Sequence, residues 1–182
     1  MRLHDLLLSV SQSAVERPRC PEVTLTRNDP VLVHADPDRL EQLLIILLDN
    51  ACKYTPPEGH VYCSLEAAAR SAALTVRDTG TGIHPDDLPH IFERFYRADR
   101  ARTHGWPTNG DAPPGAGGVP GTVLGLAIAR QIVDEANGAI SATSQVGAGA
   151  TFLVRIPRYV PGHDLPRQSA GAREAIADAP RA

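Results

Sequence analysis

Three short stretches of the chain carry residue types whose spacing could do chemistry. The first is Asn50 with Lys53, which fall on one helical stripe with Ile46, beside a face of leucines. An amide oxygen can ligate a hard cation, and an ammonium one turn on can neutralise a phosphate. Lys53 is the single Lys among 18 basic residues, and all the others are Arg. A required compact ammonium is one reading of this; a solvated polar pair at a helix end is the other. The second stretch is Asp78-Thr-Gly80-Thr-Gly82, directly after an apolar run. A carboxylate at a strand end can accept a hydrogen bond from an exocyclic amine, and two glycines let the backbone approach a flat ring. The same letters also fit an ordinary strand-to-loop turn. The third is Gly121-Thr122-Val-Leu-Gly125-Leu126, where free amides at a helix N-terminus could cradle a phosphate. No Gly-Lys-Ser/Thr follows, so it is not a P-loop, and no βαβ unit surrounds it as a dinucleotide fingerprint requires. A glycine-rich linker entering a helix is the plain alternative.

The elements that must position these residues follow from periodicity. Leu3, Leu6, Leu7, Val10 and Ala14 predict a helix over Leu3–Val15. Val23–Thr26 and Val31–His34, separated by Asn28-Asp29-Pro30, predict a hairpin. Asp36 is an expected N-cap ahead of Pro37. Leu40, Leu43, Leu44, Leu47, Leu48 and Ala51 then predict an amphipathic helix ending near Tyr54. Strands are expected at His60–Ala68 and Ala72–Arg77, a turn at Asp78–Pro85, and a partly helical stretch at Leu88–Tyr96. Nine of the 18 positions over 103–120 are Gly or Pro, which marks a long functional or disordered loop. A second long helix is expected over Thr122–Asn137 with Gly138 as its C-cap, then a hairpin of Ala139–Val146 and Thr151–Pro157. From Arg158 onward few apolar residues occur, and the tail is expected to be mostly disordered.

Composition narrows the function classes. A chain of 182 residues with 42% apolar content predicts one domain with a tail. The 4% aromatic content argues against base-stacking nucleic-acid modules, and a net charge of −3 offers no basic footprint. The longest aliphatic run, Leu43–Leu48, is too short to span a bilayer, and no leader pattern follows Met1. Cys20, Cys52 and Cys63 are odd in number and lack paired spacing. They suggest a reducing cytosol, with neither a disulfide framework nor a zinc site.

Order and spacing say more than each motif alone. Asn50-Ala-Cys-Lys53-Tyr54-Thr-Pro, Asp78-Thr-Gly-Thr-Gly82, Phe92-Glu-Arg-Phe95-Tyr-Arg and Gly121-Thr-Val-Leu-Gly125-Leu-Ala-Ile closely resemble the N, G1, F and G2 boxes of sensor histidine kinases. Gly147-Ala-Gly-Ala-Thr151-Phe resembles that family's last hairpin, so the likeness covers roughly 20–157. It implies a Bergerat-type α/β sandwich of the GHKL superfamily, a mixed β-sheet packed on about three helices. A long ATP lid over about 97–120 would cover the site, with a helix and linker at 1–19 and the tail at 158–182.

By the same resemblance the cofactors are ATP and Mg²⁺. Asn50 would be the Mg²⁺ ligand, Lys53 a phosphate contact, and Tyr54 a neighbour of the nucleotide. Asp78 would accept from the adenine amine with Thr151 supporting it through water, while Gly80 and Gly82 shape the base pocket. Gly121, Thr122, Gly125 and Leu126 would bind the phosphates, and Arg94 would reach the γ-phosphate from the lid root. Phe92 and Phe95 would anchor the lid. Two positions depart from the family: Ile46 stands where a second Asn is usual, and Val123 replaces a glycine of the last box. None of the seven His residues has the family's phosphoacceptor context. The implied protein is the stand-alone ATP-binding half of a split two-component kinase, cytoplasmic and without membrane insertion. It would phosphorylate a His on a separate dimerisation protein and act indirectly on a response regulator. An anti-sigma-factor-type serine kinase and a nucleotide-binding regulatory module are the alternatives.

Overall fold

The computed structural model describes residues 1–15, 20–94, 96 and 125–160. In chain order these form α1 (Leu3–Val15), β1 (Glu22–Asn28), α2 (Pro37–Tyr54), β2 (His60–Ala67), β3 (Ser71–Asp78), α3 (Gly125–Glu135), β4 (Ala139–Gln145) and β5 (Gly149–Pro157). The sheet runs β1-β2-β3-β5-β4, with β1 parallel to β2 and every other pair antiparallel. A mixed five-stranded sheet on three helices is the expected α/β sandwich.

α2 forms where its sequence says it should. The Asp36 carboxylate accepts the Asp38 N–H at 2.9 Å, and Pro37 opens the helix without forfeiting a donor. Its stripe of Leu40, Leu43, Leu44, Leu47, Leu48 and Ala51 is fully buried. Strict alternation supplies the opposing surface: Val61, Cys63 and Leu65 of β2, Leu74 and Val76 of β3, and Phe152, Val154 and Ile156 of β5. Leu3, Leu7, Val10 and Ala14 of α1 join the same core. All three helices therefore cover one face of the sheet.

Four expectations needed correction. Val23–Thr26 and Val31–His34 do not form a hairpin, because β1 pairs in parallel with β2. The Asn28-Asp29-Pro30 stretch stays with β2, the Asp29 N–H donating to Leu65 at 2.9 Å and its carboxylate accepting from Ala67 N–H at 2.9 Å. Val31 and Val33 are instead buried, and Val33 bridges to Arg158. The Leu88–Tyr96 stretch is a chain of turns, as its described residues show, for instance His90 N–H to the Asp87 carbonyl at 2.9 Å.

α3 ends earlier than expected, and Asn137 rather than Gly138 takes the left-handed conformation, at φ 54°. The Asn137 and Gly138 amides close on the Asp134 and Val133 carbonyls at 3.0 and 2.8 Å, a Schellman cap. Finally, Cys20 and Cys52 are joined by a disulfide across a separation of 32 residues. No spacing rule reveals such a pair, since folding alone brings the start of β1 to the end of α2. Arg158 and Tyr159 remain attached, through Arg70 and Leu32 carbonyls at 3.1 and 2.7 Å. The expected lid and the tail beyond Val160 lie outside the described residues.

Candidate nucleotide site

The last turn of α2 presents Asn50, Lys53 and Tyr54 at one end of the sheet. Asn50 is only 6% exposed, and its Nδ2 has no hydrogen-bond partner. A buried amide left in that condition costs free energy unless a ligand or water completes it. Lys53 Nζ sits 5.2 Å from the Tyr54 ring centroid, and the tyrosine itself is exposed.

β3 ends on Asp78, whose side chain turns to the helix-covered face with Leu74 and Val76. Its Oδ1 accepts the Gly80 N–H at 2.8 Å and the Ala150 N–H at 3.2 Å. Burial pushes the carboxyl above its ordinary range, and those backbone donors oppose the shift. Oδ2 stands outside both bonds, so the group keeps one acceptor for a ligand while the other is spent on the fold.

The Gly80–Gly82 loop is clamped on two sides. Thr81 N–H donates to the Tyr54 carbonyl at 3.1 Å, and the Gly147 N–H donates to the Thr81 carbonyl at 2.8 Å. A Cβ at Gly80 would strike the Tyr54 carbonyl, and one at Gly82 would strike the Gln145 carbonyl at a backbone φ of +70°. Ile83 N–H finds Ser144 Oγ at 2.8 Å, which in turn donates to the Gly149 carbonyl at 2.7 Å. The end of α2, the glycine loop and the β4–β5 turn thus form one stitched unit.

Other expected residues are distributed differently. Thr151 pairs with Arg77 and shares the sheet face opposite the core residues Ala150 and Phe152. Its side chain therefore points away from the face that carries Asp78. The neighbour that reaches Asp78 directly is the Ala150 amide. Arg94 donates from Nη2 to Gln131 Oε1 on α3 at 3.2 Å. Phe92 packs edge-on against Phe152, centroids 6.5 Å apart. Gly125 opens α3, where an added Cβ would lie 3.5 Å from Ile46 Cγ2, so Ile46 fills the space beneath the start of that helix. Leu126 is 9% exposed and belongs to the core, which leaves only its backbone for a ligand. Gly121, Thr122, Val123 and Phe95 lie outside the described residues. Among the described residues no His, Cys, Asp and Glu side chains cluster as a metal site.

Ala150 N–H, the Tyr54 carbonyl and Ser144 were invisible to motif reading. The first two act through the backbone, and only the glycines beside them hint at close approach.

Residues 35–160 match the family of histidine kinase-, DNA gyrase B- and HSP90-like ATPases. The chain belongs to this family. It is 37% identical over 123 residues to the sensor protein SrrB of Staphylococcus aureus, covering 68% of this chain and 19% of that protein. The chain thus spans about a fifth of the length of the curated relatives it matches. Among solved structures, a mycobacterial sensor histidine kinase, MprB, aligns over 87% of this chain and 97% of its own, with a TM-score of 0.69 at 26% identity. Full-length ShkA in complex with AMPPNP aligns over 87% of this chain and 30% of its own, with a TM-score of 0.67 at 27% identity. The described fold is accordingly that of a histidine kinase ATP-binding domain, and no described helix is long and apolar enough to cross a membrane.

Proposed function

We propose that the chain binds Mg·ATP between the end of α2 and the Gly80–Gly82 loop and passes the γ-phosphoryl to a histidine on a separate dimerisation protein. The observation that carries this reading is Asp78, buried and held by two backbone amides through Oδ1 with Oδ2 left for an exocyclic amine. An adenine amine matches that acceptor; the carbonyl of guanine at the same place would meet a carboxylate with no donor.

Asn50 suits the metal. Its amide oxygen is a hard ligand, while its buried Nδ2, which lacks a partner, calls for an acceptor such as a phosphate oxygen. Mg²⁺ would be held by Asn50 and by phosphate and water oxygens, and it would offset phosphate charge during transfer. Lys53 adds a mobile positive charge one turn further on. Gly121, Thr122 and Gly125 are assigned to the phosphates by their sequence motif, and Arg94 to the γ-phosphate from the same source. Catalysis then consists of positioning and charge neutralisation, with the nucleophile supplied by the partner. That partner would be a histidine-bearing helix pair feeding a response regulator, with both proteins in the cytoplasm.

The test is incubation with labelled ATP, with and without a dimerisation-domain partner. Acid-labile, base-stable label on the partner alone is expected. Robust label on this chain alone overturns the reading, and acid-stable label on a serine points to an anti-sigma-type kinase. Ile46 favours a second reading, a nucleotide-binding regulatory module, because it brings an apolar side chain to the start of α3. ATP binding without turnover toward any partner is its signature.

A further inference from the structure

A covalent bond holds the turn that carries Asn50 and Lys53. Cys52 lies between those two residues, and its sulfur is bonded to Cys20, two residues before β1, with the Cα atoms 5.0 Å apart. Because β1 pairs with β2 from Glu22↔His60 onward, the bond ties the end of α2 to the edge of the sheet. Both cysteines are partly exposed, so a small thiol or disulfide can reach them. Cys63 is the opposite case: it is fully buried on β2, and burial pushes its thiol up to about 12. A thiol in that state is inert. The chain thus divides its cysteines into one reachable pair and one silent residue.

Besides the Thr81 N–H donated to the Tyr54 carbonyl at 3.1 Å, this covalent bond closes the end of the helix. Thr55 follows α2 in an extended conformation, φ −104° and ψ 131°, so no left-handed residue caps the last turn. Thr55 Oγ1 and Asn50 Nδ2 are buried without partners. A terminal turn that leaves buried polar groups without partners is a place where local opening begins, and a covalent tie limits it. The disulfide is the tie, and a disulfide that solvent can reach is open to exchange with small thiols.

We propose that Cys20 and Cys52 form a reversible thiol–disulfide site that sets the affinity of the adjoining nucleotide site, tighter when oxidised and weaker when reduced. The proposal rests on the nucleotide reading of Asn50, Lys53 and Tyr54. The oxidant is a low-molecular-weight disulfide such as oxidised glutathione. One cysteine thiolate attacks it, forming a mixed disulfide and expelling one small thiolate. The second cysteine thiolate then attacks the protein-bound sulfur and expels the other. Two protein thiols lose two electrons and two protons, and the small disulfide becomes two thiols. In the reduced state the last turn is formed only part of the time, and the apparent dissociation constant is the intrinsic one divided by that fraction.

The experiment equilibrates the chain in glutathione buffers from reducing to oxidising, counts protected thiols by alkylation and mass, and titrates each state with Mg·ATP in a calorimeter. Two protected thiols are expected at the oxidising end, with Cys63 unreactive until the chain is denatured. Reduction is expected to weaken Mg·ATP by about three- to tenfold, as a partly populated binding-competent turn requires. Amide exchange across 50–55 should quicken at the same time. Cys20→Ser and Cys52→Ser should each show the reduced affinity in every buffer. Failure of the two thiols to pair under oxidising conditions overturns the site. Equal affinities in the two states overturn the coupling and leave the nucleotide site standing, whereas no binding in either state sinks both.

Discussion

Asp78 Oδ1 accepts the backbone N–H of Ala150, 72 residues further along the chain, at 3.2 Å. That bond fastens the last residue of β3 to the start of β5 and occupies Oδ1 of the carboxylate. On the proposed nucleotide reading Asp78 serves the fold and the ligand through different atoms, so the two roles can be separated by mutation.

Asp78→Asn tests this separation. An amide oxygen can still accept from Gly80 and Ala150, but the charge-assisted acceptor for an exocyclic amine is lost. ATP affinity should fall by about 1.5–3 kcal/mol, the range for hydrogen bonds to charged groups. Discrimination against GTP should shrink with it. Stability should move the other way. Burial raises the Asp78 carboxyl in the folded chain above its unfolded value, so the folded state holds the proton more firmly. The stability due to this group is therefore complete below the ordinary carboxylate range and is lost as pH rises through the raised value. Denaturant melts should show the Asn variant gaining on the parent as pH rises from the acidic side. A variant that loses stability at neutral pH and keeps ATP affinity would contradict the assignment.

Asn50→Ala should leave adenine recognition largely intact and remove the part of ATP binding that depends on Mg²⁺. The cost to the fold should be small, because the substitution deletes a buried amide nitrogen that has no partner. Calorimetric titrations with and without Mg²⁺ give the readout. A variant whose affinity still rises with Mg²⁺ as the parent's does would remove Asn50 from the metal.

Gly82→Ala introduces a Cβ at a φ of +70° and against the Gln145 carbonyl. Positive φ alone costs about 1 kcal/mol or more for a side-chain-bearing residue, and the collision adds to it. A drop in melting temperature together with weaker ATP binding is expected, since the loop joins Tyr54 to the β4–β5 turn. Gly147→Ala is the contrast, because a Cβ there meets nothing within 4 Å despite φ +79°. It should pay the backbone penalty alone.

Much of the fold could be read in advance wherever burial has a period. α2 was legible from its leucines and its Asp-Pro start, and β2, β3 and β5 from alternation. Pairing was less so. Val23–Thr26 and Val31–His34 have strand character, but which strand pairs with β1 depends on the crossover through α2, which no local window contains. Asn50 and Asp78 stood out by residue type and place. Thr151 enters through the family resemblance of the last hairpin, and period-two alternation one residue along from Ala150 puts it on the other face of the sheet. The Cys20–Cys52 bond and the Ala150 amide are products of the tertiary fold, and side-chain identity carries no trace of either.

Ile46→Asn probes the one apolar member of the chemical stripe on α2. Ile46 is half-buried against the core and lies beneath Gly125. Replacing it with an amide removes apolar contact, at a cost of about 1 kcal/mol or more for a partly buried branched side chain. The new amide would sit one turn before Asn50, on the same side of the helix, and bring a second hard oxygen to the phosphate end of the site. Mg²⁺-dependent ATP affinity should therefore rise while the melting temperature falls. Paired calorimetry and thermal melts on the parent and the variant separate the two effects. If stability falls and Mg²⁺ gains nothing, Ile46 is a packing residue beneath α3 with no bearing on the metal, and the handicap attributed to it disappears.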